Sequence, residues 1–399
     1  MNPRLSQLNP YPFGRLRALL KGVEPNSELQ ALKLSLGEPE HEPPAVALEA
    51  LKSAISGVSK YPATAGTIEL KTAITDWLGI RFNLTSVSPE KHVLPVNGTR
   101  EALFSVVQAL VGNEKVAGKP SSVLMPNPFY QIYEGAAILA GADPVFYPID
   151  PATNLPDFDA ISEQDLDRCE LMYICTPGNP SGQSIPAEQL KKVISLAQKH
   201  DFVLVSDECY SELYLDESKP CVGLLQACEE MGNLEYENCL ICHSLSKRSN
   251  LPGLRSGFVA GDAELLEKFL MYRTYHGSAM ALHQQAASQA AWRDEVHVAK
   301  NRQLYRQKYD AVIPLLGKKF NFIKPDSGFY LWLETPIDDL EFTRSLYRDQ
   351  NLLVIPGSFL ARDVAGENPG NQRIRLALVS SVESCVQAAE RLCDHVKTL

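Results

Sequence analysis

Residues 169–208 read CELMYICTPGNPSGQSIPAEQLKKVISLAQKHDFVLVSDE, and this stretch decides the fold. Two short apolar runs, LMYICTP and FVLVSDE, flank a segment with helical spacing of apolar residues from Pro186 to His200. A strand, a helix and a second strand in this order form a right-handed unit that places both strands parallel in one sheet. Neither run alternates with polar residues, as is typical of strands covered on both faces.

Further runs of the same kind extend this pattern in both directions. HVLPVN, SSVLMP and PVFYPI precede the stretch, and NCLICHS and SGFVAGD follow it, with helical segments between most of them. We therefore predict an α/β fold whose large domain, residues 46–290, holds a seven-stranded, mainly parallel sheet covered by helices. A charged helix and the runs GFYLWLE, LLVIP and RIRLALV follow. They predict a smaller α+β domain over residues 291–399, to which the N-terminal arm, residues 1–45, also contributes.

Composition restricts the class of protein. The 399 residues are 45% apolar and 22% charged, which is typical of a globular chain and not of a disordered one. The formal net charge is −10, which disfavours nucleic acid and anionic membrane as partners. No run approaches 18 apolar residues, and Pro and Arg interrupt the first 20 residues. We expect a cytoplasmic protein with neither a membrane span nor a leader.

Cysteine and histidine spacing gives no sign of a metal site. Cys239 and Cys242 form a Cys-x-x-Cys pair inside an apolar run, without the second pair or spaced histidines that zinc requires. Buried, reduced thiols are the favoured interpretation for the nine cysteines. The eight histidines form no close cluster in the sequence. We predict no metal.

A lysine directly after a predicted strand is the first candidate for chemistry. The sequence Ser244-Leu-Ser246-Lys247 follows the run NCLICHS, and Arg255 comes eight residues later. Open α/β sheets bind ligands at the carboxyl ends of their strands. Lys247 can form a Schiff base with a carbonyl compound, while Arg255 and the two hydroxyls bind its phosphate. Alone, this segment is equally compatible with a basic surface loop.

Two other predicted strands end in groups that could bind the same phosphorylated carbonyl compound. Asp207 closes the run FVLVSDE, where a partly desolvated carboxylate requires a cationic partner, such as a protonated pyridine nitrogen. Tyr210 follows three residues later and can donate to a phenolate oxygen. The alternative for Asp207 is a helix N-cap. Asn179 follows the run LMYICTP in a segment that is equally compatible with an ordinary turn.

These motifs together resemble one family. Their order and spacing resemble the fold-type I, pyridoxal-phosphate-dependent aminotransferases of classes I and II, over nearly the whole chain. The resemblance implies an aspartate-aminotransferase-like fold and pyridoxal 5′-phosphate as the cofactor. It also implies that Lys247 forms the Schiff base and then acts as general acid and base. Asp207 would face the pyridine nitrogen, and Asn179 and Tyr210 the ring's O3′.

The resemblance assigns further cofactor contacts. Gly98-Thr99-Arg100 matches the phosphate-binding turn, and a helix N-terminus favours a phosphate independently of any family. A plain helix cap is the alternative for Thr99. Tyr130 matches the residue that stacks on the ring. Tyr133 lies three residues further on the same helix face, and core packing is favoured for it.

Substrate contacts and the oligomeric state are also implied by the resemblance. Gly37 matches a glycine beside the substrate, which Asn179 also contacts. Arg375 matches the arginine that binds the substrate α-carboxylate, and its planar fork suits that group. Arg373, two residues earlier on the same predicted strand, is interpreted as a rim charge. Tyr61 matches the tyrosine that reaches the neighbouring phosphate, which implies a homodimer with composite active sites.

Several longer strings, including PVNGTREALF and SLSKRSNLPGLRSGFVAGD, resemble one branch of the family. This branch is that of the proteobacterial N-succinyldiaminopimelate aminotransferases. The resemblance implies amino transfer between glutamate and N-succinyl-2-amino-6-oxopimelate. Arg273, Tyr275 and His276 are candidates for the distal pocket, although a solvated helix end explains each equally well. The segment Ser358-Phe-Leu360 departs from relatives that often have Gly after the Phe.

Other outcomes are compatible with the same motifs. An aspartate-, alanine- or aromatic-type aminotransferase would use the same site, as would a C–S lyase or a decarboxylase of this fold. A sensor that binds the cofactor without turnover is the non-enzymatic alternative. Arg375 favours transamination because it would fix the carboxylate in the plane of the ring.

Overall fold

The computed structural model describes residues 1–399, which form fourteen α-helices and thirteen β-strands. The helices are, in chain order, α1 (Pro12–Leu19), α2 (Ala45–Ser53), α3 (Ile68–Phe82), α4 (Thr99–Leu110), α5 (Gln131–Ala140), α6 (Glu163–Asp167), α7 (Ala187–His200), α8 (Leu224–Glu230), α9 (Leu245–Arg248), α10 (Ala263–His276), α11 (Leu282–Trp292), α12 (Val296–Leu316), α13 (Asp339–Gln350) and α14 (Val382–Thr398). No helix combines the length and the apolar character that crossing a membrane requires.

The strands form three sheets. They are β1 (Leu32–Lys33), β2 (Val93–Val96), β3 (Ser122–Asn127), β4 (Asp143–Asp150), β5 (Leu155–Pro156), β6 (Cys169–Cys175), β7 (Val203–Asp207), β8 (Cys239–Ser244), β9 (Gly257–Gly261), β10 (Tyr330–Glu334), β11 (Leu352–Leu353), β12 (Ile355–Pro356) and β13 (Arg373–Ala377). The largest sheet has the order β2-β9-β8-β7-β6-β3-β4-β5.

The predicted α/β architecture is confirmed, with one extra strand. All seven apolar runs of the large domain are strands of this sheet, and only β9 and β5 run against the other six. The eighth strand, β5, has two residues and pairs with the end of β4 in a hairpin. A strand of two residues is too short to show periodicity, so it could not be predicted from the pattern of apolar residues.

The central strands are buried on both faces because helices cover each side. Leu204 of β7 packs into one apolar cluster, and its neighbour Val205 packs into a separate cluster. Successive side chains of a strand point to opposite faces, so each face has its own core. All six residues of β8 are buried, including Cys239 and Cys242, and all nine cysteines are free thiols.

The smaller region of the chain combines both ends of the sequence. Strand β1 pairs in parallel with β11, and β10, β13 and β12 form an antiparallel sheet. Leu32 and Leu34 pack in the same apolar cluster as residues of α12, α13 and α14. This pairing agrees with a small domain built from both chain ends. The boundaries at 45/46 and 290/291 stay a prediction.

The carboxyl ends of the central strands meet at one edge of the large sheet. Cys175 at the end of β6 pairs in register with Asp207 at the end of β7, and Asp207 pairs with Cys242 of β8. Ser244 closes β8. The edge therefore brings together groups from distant positions in the chain, at the place where such sheets bind ligands.

Candidate active site

A cavity of about 360 Å³ opens at this edge. Its volume is within the range of sites that bind small molecules. Twelve of the fourteen predicted site residues line it; Gly98 lies directly beside it, and Tyr61 lies elsewhere. The twelve are Gly37, Thr99, Arg100, Tyr130, Asn179, Asp207, Tyr210, Ser244, Ser246, Lys247, Arg255 and Arg375.

Lys247 lies on the short helix α9, directly after β8. Its Nζ donates a hydrogen bond of 2.5 Å to the carbonyl oxygen of Gly37. Burial, the main cause, together with the nearby charges of Arg375 and Arg255 lowers the pKa of Lys247 to about 8. About a tenth of this amine is therefore unprotonated at pH 7, far more than for an ordinary lysine, and the neutral form is the one that a nucleophile or a general base requires.

Asp207 is a buried carboxylate without a cationic partner. It accepts a hydrogen bond from the Tyr133 hydroxyl at 2.8 Å and another from the backbone N–H of Cys209 at 3.3 Å. No Lys, Arg or His forms an ion pair with it. Burial raises its pKa, and the hydrogen bonds from Cys209 and Tyr133 oppose that rise. An uncompensated buried carboxylate of this kind favours a cationic ligand group.

Tyr133 is a contact that the sequence interpretation missed. Its ring stacks on Tyr173 at 4.2 Å between centroids, which agrees with the predicted packing role. Its hydroxyl, however, is the only side-chain group that donates to Asp207 within normal hydrogen-bond geometry. The spacing in the sequence contains a signal for this contact, because residues three apart, such as Tyr130 and Tyr133, lie on the same side of a helix. Tyr130 lines the cavity, and its hydroxyl accepts a 2.9 Å hydrogen bond from Arg100.

A cup suited to a phosphate lies at the start of α4. Gly98 has φ 82°, and a Cβ placed there would lie 2.2 Å from a guanidinium nitrogen of Arg255, so glycine is required for this approach. Thr99 begins α4, whose first N–H groups have no partner within the helix. Ser244 caps α9, and its hydroxyl lies 2.9 Å from that of Ser246. These donors surround one corner of the cavity, where an anion would be stabilised.

Arg375 projects from β13 into the cavity. One of its terminal nitrogens donates to Asn179 Oδ1 at 2.9 Å and the other to the carbonyl oxygen of Ser35 at 3.0 Å. Its Nε is buried and has no hydrogen-bond partner. An incompletely satisfied buried guanidinium is suited to a carboxylate. Arg373 does not line the cavity; it forms an ion pair of 2.8 Å with Glu334.

Tyr210 and Tyr330 close another wall of the cavity. Their hydroxyl oxygens are 3.1 Å apart, and burial raises the pKa of Tyr210 well above its usual value. Tyr330 also stacks on the guanidinium of Arg375, at 4.2 Å from the ring centroid. A Cβ at Gly37 would lie 2.0 Å from the Tyr330 hydroxyl oxygen, so this position must be glycine. Sequence reasoning missed Tyr330, because an aromatic residue in a strand predicts core packing.

Four further candidates lie outside this cavity. Arg273 is fully buried and forms an ion pair with Glu101, so it is neither a solvated helix end nor available to a distal pocket. The side chain of Tyr61 is fully exposed and that of Tyr275 is 91% exposed, while His276 bonds to a serine hydroxyl of its own loop. The prediction for Arg273 is therefore wrong. A contact of Tyr61, Tyr275 or His276 with a neighbouring subunit stays a prediction.

Comparison with known proteins identifies the family that uses this arrangement. The family profile described as aminotransferase class I and II matches residues 30–392. The chain belongs to this family. Its members depend on pyridoxal phosphate, which makes the chain a pyridoxal-phosphate-dependent aminotransferase.

Individual relatives cover almost the entire chain. A solved aminotransferase structure from Neisseria meningitidis is 46% identical and covers 99% of both chains, with a TM-score of 0.94. A probable aminotransferase of Mycobacterium tuberculosis is 32% identical over 94% of this chain and 82% of its own. The LL-diaminopimelate aminotransferase of Aquifex aeolicus is 29% identical over 98% of this chain and 97% of its own. The aspartate-aminotransferase-like fold is thus confirmed.

The residues of the cavity fit the family's cofactor in four respects. Asp207 lacks the cation that a protonated pyridine ring would supply. The cup formed around Gly98 and Arg255 lacks the anion that a phosphate would supply. Lys247 presents an amine of lowered pKa to the same cavity. An aromatic face, Tyr130, lines the space near these groups.

Proposed function

We propose that this aminotransferase transfers the amino group of N-succinyl-LL-2,6-diaminopimelate to 2-oxoglutarate, forming N-succinyl-2-amino-6-oxopimelate and glutamate, a step of lysine and diaminopimelate synthesis. The observation that carries the proposal is the excess of cationic side chains around the cavity. Arg100, Lys247, Arg255 and Arg375 line it, and Asp207 is the only acidic residue that does so. Such a cavity suits substrates with several carboxylates.

The cofactor would be held at both of its ends. Its phosphate would lie in the cup made by Gly98, Thr99, Arg255 and the serines at the start of α9. Its ring would lie between Asp207 at the nitrogen and Tyr210 with Asn179 at O3′, with Tyr130 against its face. Bound there, pyridoxal phosphate supplies an aldehyde for the amino group and a ring that accepts electrons from the substrate Cα.

Lys247 is the group that moves the proton. Its pKa of about 8 allows Nζ to accept a proton at Cα and to return it. The Gly37 carbonyl holds this amine at the cavity wall until it reacts. Asp207, hydrogen-bonded by Tyr133, would face the ring nitrogen of the bound cofactor and hold a proton there.

Arg375 sets the orientation of the substrate. Its unpaired Nε and the donors next to Asn179 would bind the α-carboxylate in two places. A carboxylate held in this way would keep its own bond to Cα close to the plane of the cofactor ring and leave the Cα–H bond as the one free to break. The arrangement favours proton removal over loss of carbon dioxide.

The second candidate substrate is LL-diaminopimelate without the succinyl group. It is supported by the names of relatives, including the Aquifex aeolicus enzyme. The two substrates differ in charge, because succinylation replaces a distal ammonium with an amide and adds a carboxylate. The cofactor phosphate and the α-carboxylate would neutralise Arg255 and Arg375, and the remaining charge of Arg100 favours the added carboxylate of the succinylated compound over a distal ammonium.

The acceptor profile of the purified holoenzyme tests the proposal. Glutamate serves as donor with N-succinyl-2-amino-6-oxopimelate, oxaloacetate or pyruvate as acceptor, and LL-diaminopimelate is tested as donor to 2-oxoglutarate. We expect kcat/KM for the succinylated acceptor to exceed that for the other two by about tenfold or more. A preference for LL-diaminopimelate would support the second candidate. A preference for oxaloacetate or pyruvate would contradict both.

We further propose a homodimer in which Tyr61 reaches the phosphate of the neighbouring site. Tyr61 lies outside its own cavity, and the exposed side chains of Ile55 and Val58 precede it. Exposed apolar residues of this kind are typical of a surface that a partner covers. Sedimentation of the holoenzyme at assay concentration should show a dimer. A fully active monomer would contradict the proposal.

A further inference from the structure

Lys247 is held at its backbone as well as at its side chain. Asn301 of α12 donates from Nδ2 to the carbonyl oxygen of Lys247 at 3.1 Å and to that of Arg248 at 3.2 Å. These two residues end α9, and the last carbonyl groups of a helix have no partner within it. Asn301 is buried. The end of this four-residue helix is therefore fixed by an interior side chain that is distant in sequence.

The direction of the Asn301 amide is set by a chain of donors. Lys308, about two turns further along α12, donates from Nζ to Nε2 of His41 at 2.7 Å and to the carbonyl oxygen of Val379 at 2.8 Å. An ammonium group has no acceptor, so Nε2 of His41 accepts and Nδ1 carries the ring proton. Nδ1 lies 2.8 Å from Asn301 Oδ1 and therefore donates to it. The amide oxygen faces His41, which leaves the Nδ2 donors for α9.

This chain of hydrogen bonds persists over the pH range in which its members titrate. Burial lowers the pKa of His41 below its usual value, so the imidazole is neutral at pH 7, as the acceptor role of Nε2 requires. Burial also lowers the pKa of Lys308 to about 8. A neutral Lys308 amine would still have two N–H groups for its two acceptors. Asn250 donates to the same Asn301 oxygen at 3.0 Å, which fixes the amide further.

The segment that contains His41 contacts Lys247 a second time. Gly37, four residues before His41, accepts the hydrogen bond from Lys247 Nζ. The amine and the backbone carbonyl of one lysine are thereby joined to residues 37–41, the first directly and the second through Asn301. A free lysine side chain samples many rotamers, so two fixed points on the residue restrict where its amine lies.

We propose that Asn301, oriented by His41, is a positioning residue that keeps Lys247 in its buried place at the cavity wall. This inference rests on the proposed role of Lys247 as the amine that joins the cofactor, and it holds for any amino-acid substrate. Without the amide donors, the end of α9 is free to shift and water reaches Nζ. Burial is the main cause that lowers the pKa of Lys247, so hydration of the amine raises that pKa toward the value of an ordinary lysine.

The test measures the pKa of Lys247 in the apoprotein of the wild type and of Asn301→Leu. Competitive acetylation by acetic anhydride over a series of pH values, followed by mass spectrometry of the peptide that carries Lys247, gives this pKa without the cofactor. For Asn301→Leu we expect a rise of about 0.5 to 1 from the wild-type value of about 8. The unprotonated fraction falls accordingly, so Schiff-base formation with added pyridoxal phosphate at pH 7 should slow by about 3- to 10-fold.

A double variant shows whether His41 acts through Asn301. His41→Phe removes both ring nitrogens and keeps a flat ring beside Tyr305, whose centroid lies 4.5 Å from that of His41. We expect a smaller rise in the pKa of Lys247 than for Asn301→Leu, because Asn250 still donates to the amide oxygen. Adding His41→Phe to Asn301→Leu should then raise this pKa no further.

Gln108→Leu is the matched control. Gln108 of α4 also donates from a side-chain amide to a backbone carbonyl, that of Ala136 at 2.8 Å, and it does not line the cavity. Both substitutions replace an amide with a branched apolar side chain, but only Asn301→Leu should change the pKa of Lys247. Every variant retains the titratable and charged groups nearest that amine, which are Cys209, Arg375, Glu38 and Arg255.

Three outcomes contradict the inference. An unchanged or lower pKa of Lys247 in Asn301→Leu, or an equal rise in Gln108→Leu, would show that the amide does not position this lysine. Additive effects in the double variant would show that His41 does not act through Asn301. Failure of the proposed role of Lys247 is a separate result. In that case borohydride would not trap the cofactor on Lys247 of the wild type, whatever acetylation shows.

Discussion

Replacing Tyr133 with Phe isolates the hydrogen bond that supports Asp207. The substitution removes one hydroxyl and leaves the ring that stacks on Tyr173. A hydrogen bond to a buried ionised group contributes about 1.5–3 kcal/mol, so we expect kcat to fall by about 10- to 100-fold. The loss follows because a carboxylate without this donor takes up the proton that it should leave on the cofactor.

The pH profile gives the same substitution a second readout. The Tyr133 hydroxyl lowers the pKa of Asp207, against the larger effect of burial. Without that hydroxyl the pKa of Asp207 rises, so activity that requires the ionised carboxylate is lost at a higher pH as the solution is acidified. The acidic limb of the kcat profile should therefore move to higher pH in Tyr133→Phe.

Tyr147→Phe is the matched control. Tyr147 is also buried, on β4 of the large sheet, and its hydroxyl donates to the backbone oxygen of Tyr173 at 2.7 Å without contacting Asp207. Both variants lose one buried hydrogen bond, and we expect the free energy of unfolding to fall by about 1.5–3 kcal/mol in Tyr133→Phe and by about 1 kcal/mol in Tyr147→Phe. Only Tyr133→Phe should change kcat and its pH profile. Equal effects of the two variants on kcat would refute the role given to Tyr133.

Three further predictions follow from the cavity. Absorbance reports the rate at which the apoprotein forms a Schiff base with added pyridoxal phosphate. This rate should rise as pH increases through about 8, because Lys247 loses its proton there, and Lys247→Ala should abolish the reaction. Arg375→Met should raise the KM for glutamate by about 100-fold, while Arg373→Met, which breaks only a rim ion pair, should stay within about threefold of wild type. Gly98→Ala should weaken cofactor binding in a fluorescence titration by about tenfold or more, because the new Cβ displaces Arg255; Gly253→Ala, with no heavy atom within 4 Å of its Cβ, should not.

The sequence predicted the strands and the residues that follow them. Asp207 and Lys247 each close or follow an apolar run, and parallel strands bring such ends to one edge of a sheet. The two residues therefore line one cavity although they lie 40 positions apart. Local pattern and topology are sufficient for this part of the site, since each strand end carries its own signal.

Contacts that depend on tertiary packing had no such signal. Tyr330 enters the cavity from the small-domain sheet, and Tyr11 enters from an arm without regular periodicity. Arg273 is charged and near a helix end, which predicts exposure, but the structure buries it against Glu101. In each case the environment is set by residues distant in sequence. Tyr61 belongs to the same group, because its predicted partner is on another chain.

The hydrogen bond from Lys247 to Gly37 joins the reactive amine to a segment that begins in the small-domain core. Gly37 follows Leu34, which packs among residues of α12–α14, and the two bonded residues are 210 positions apart. An imine formed at Nζ would retain at most one proton, so bound pyridoxal phosphate would compete with the Gly37 carbonyl for this donor. Binding of the cofactor would therefore change a hydrogen bond of residues 34–37 as well as the covalent state of Lys247. The neighbouring carbonyl of Ser35 would still accept from Arg375, so this segment would stay joined to the substrate-binding arginine after the lysine has reacted.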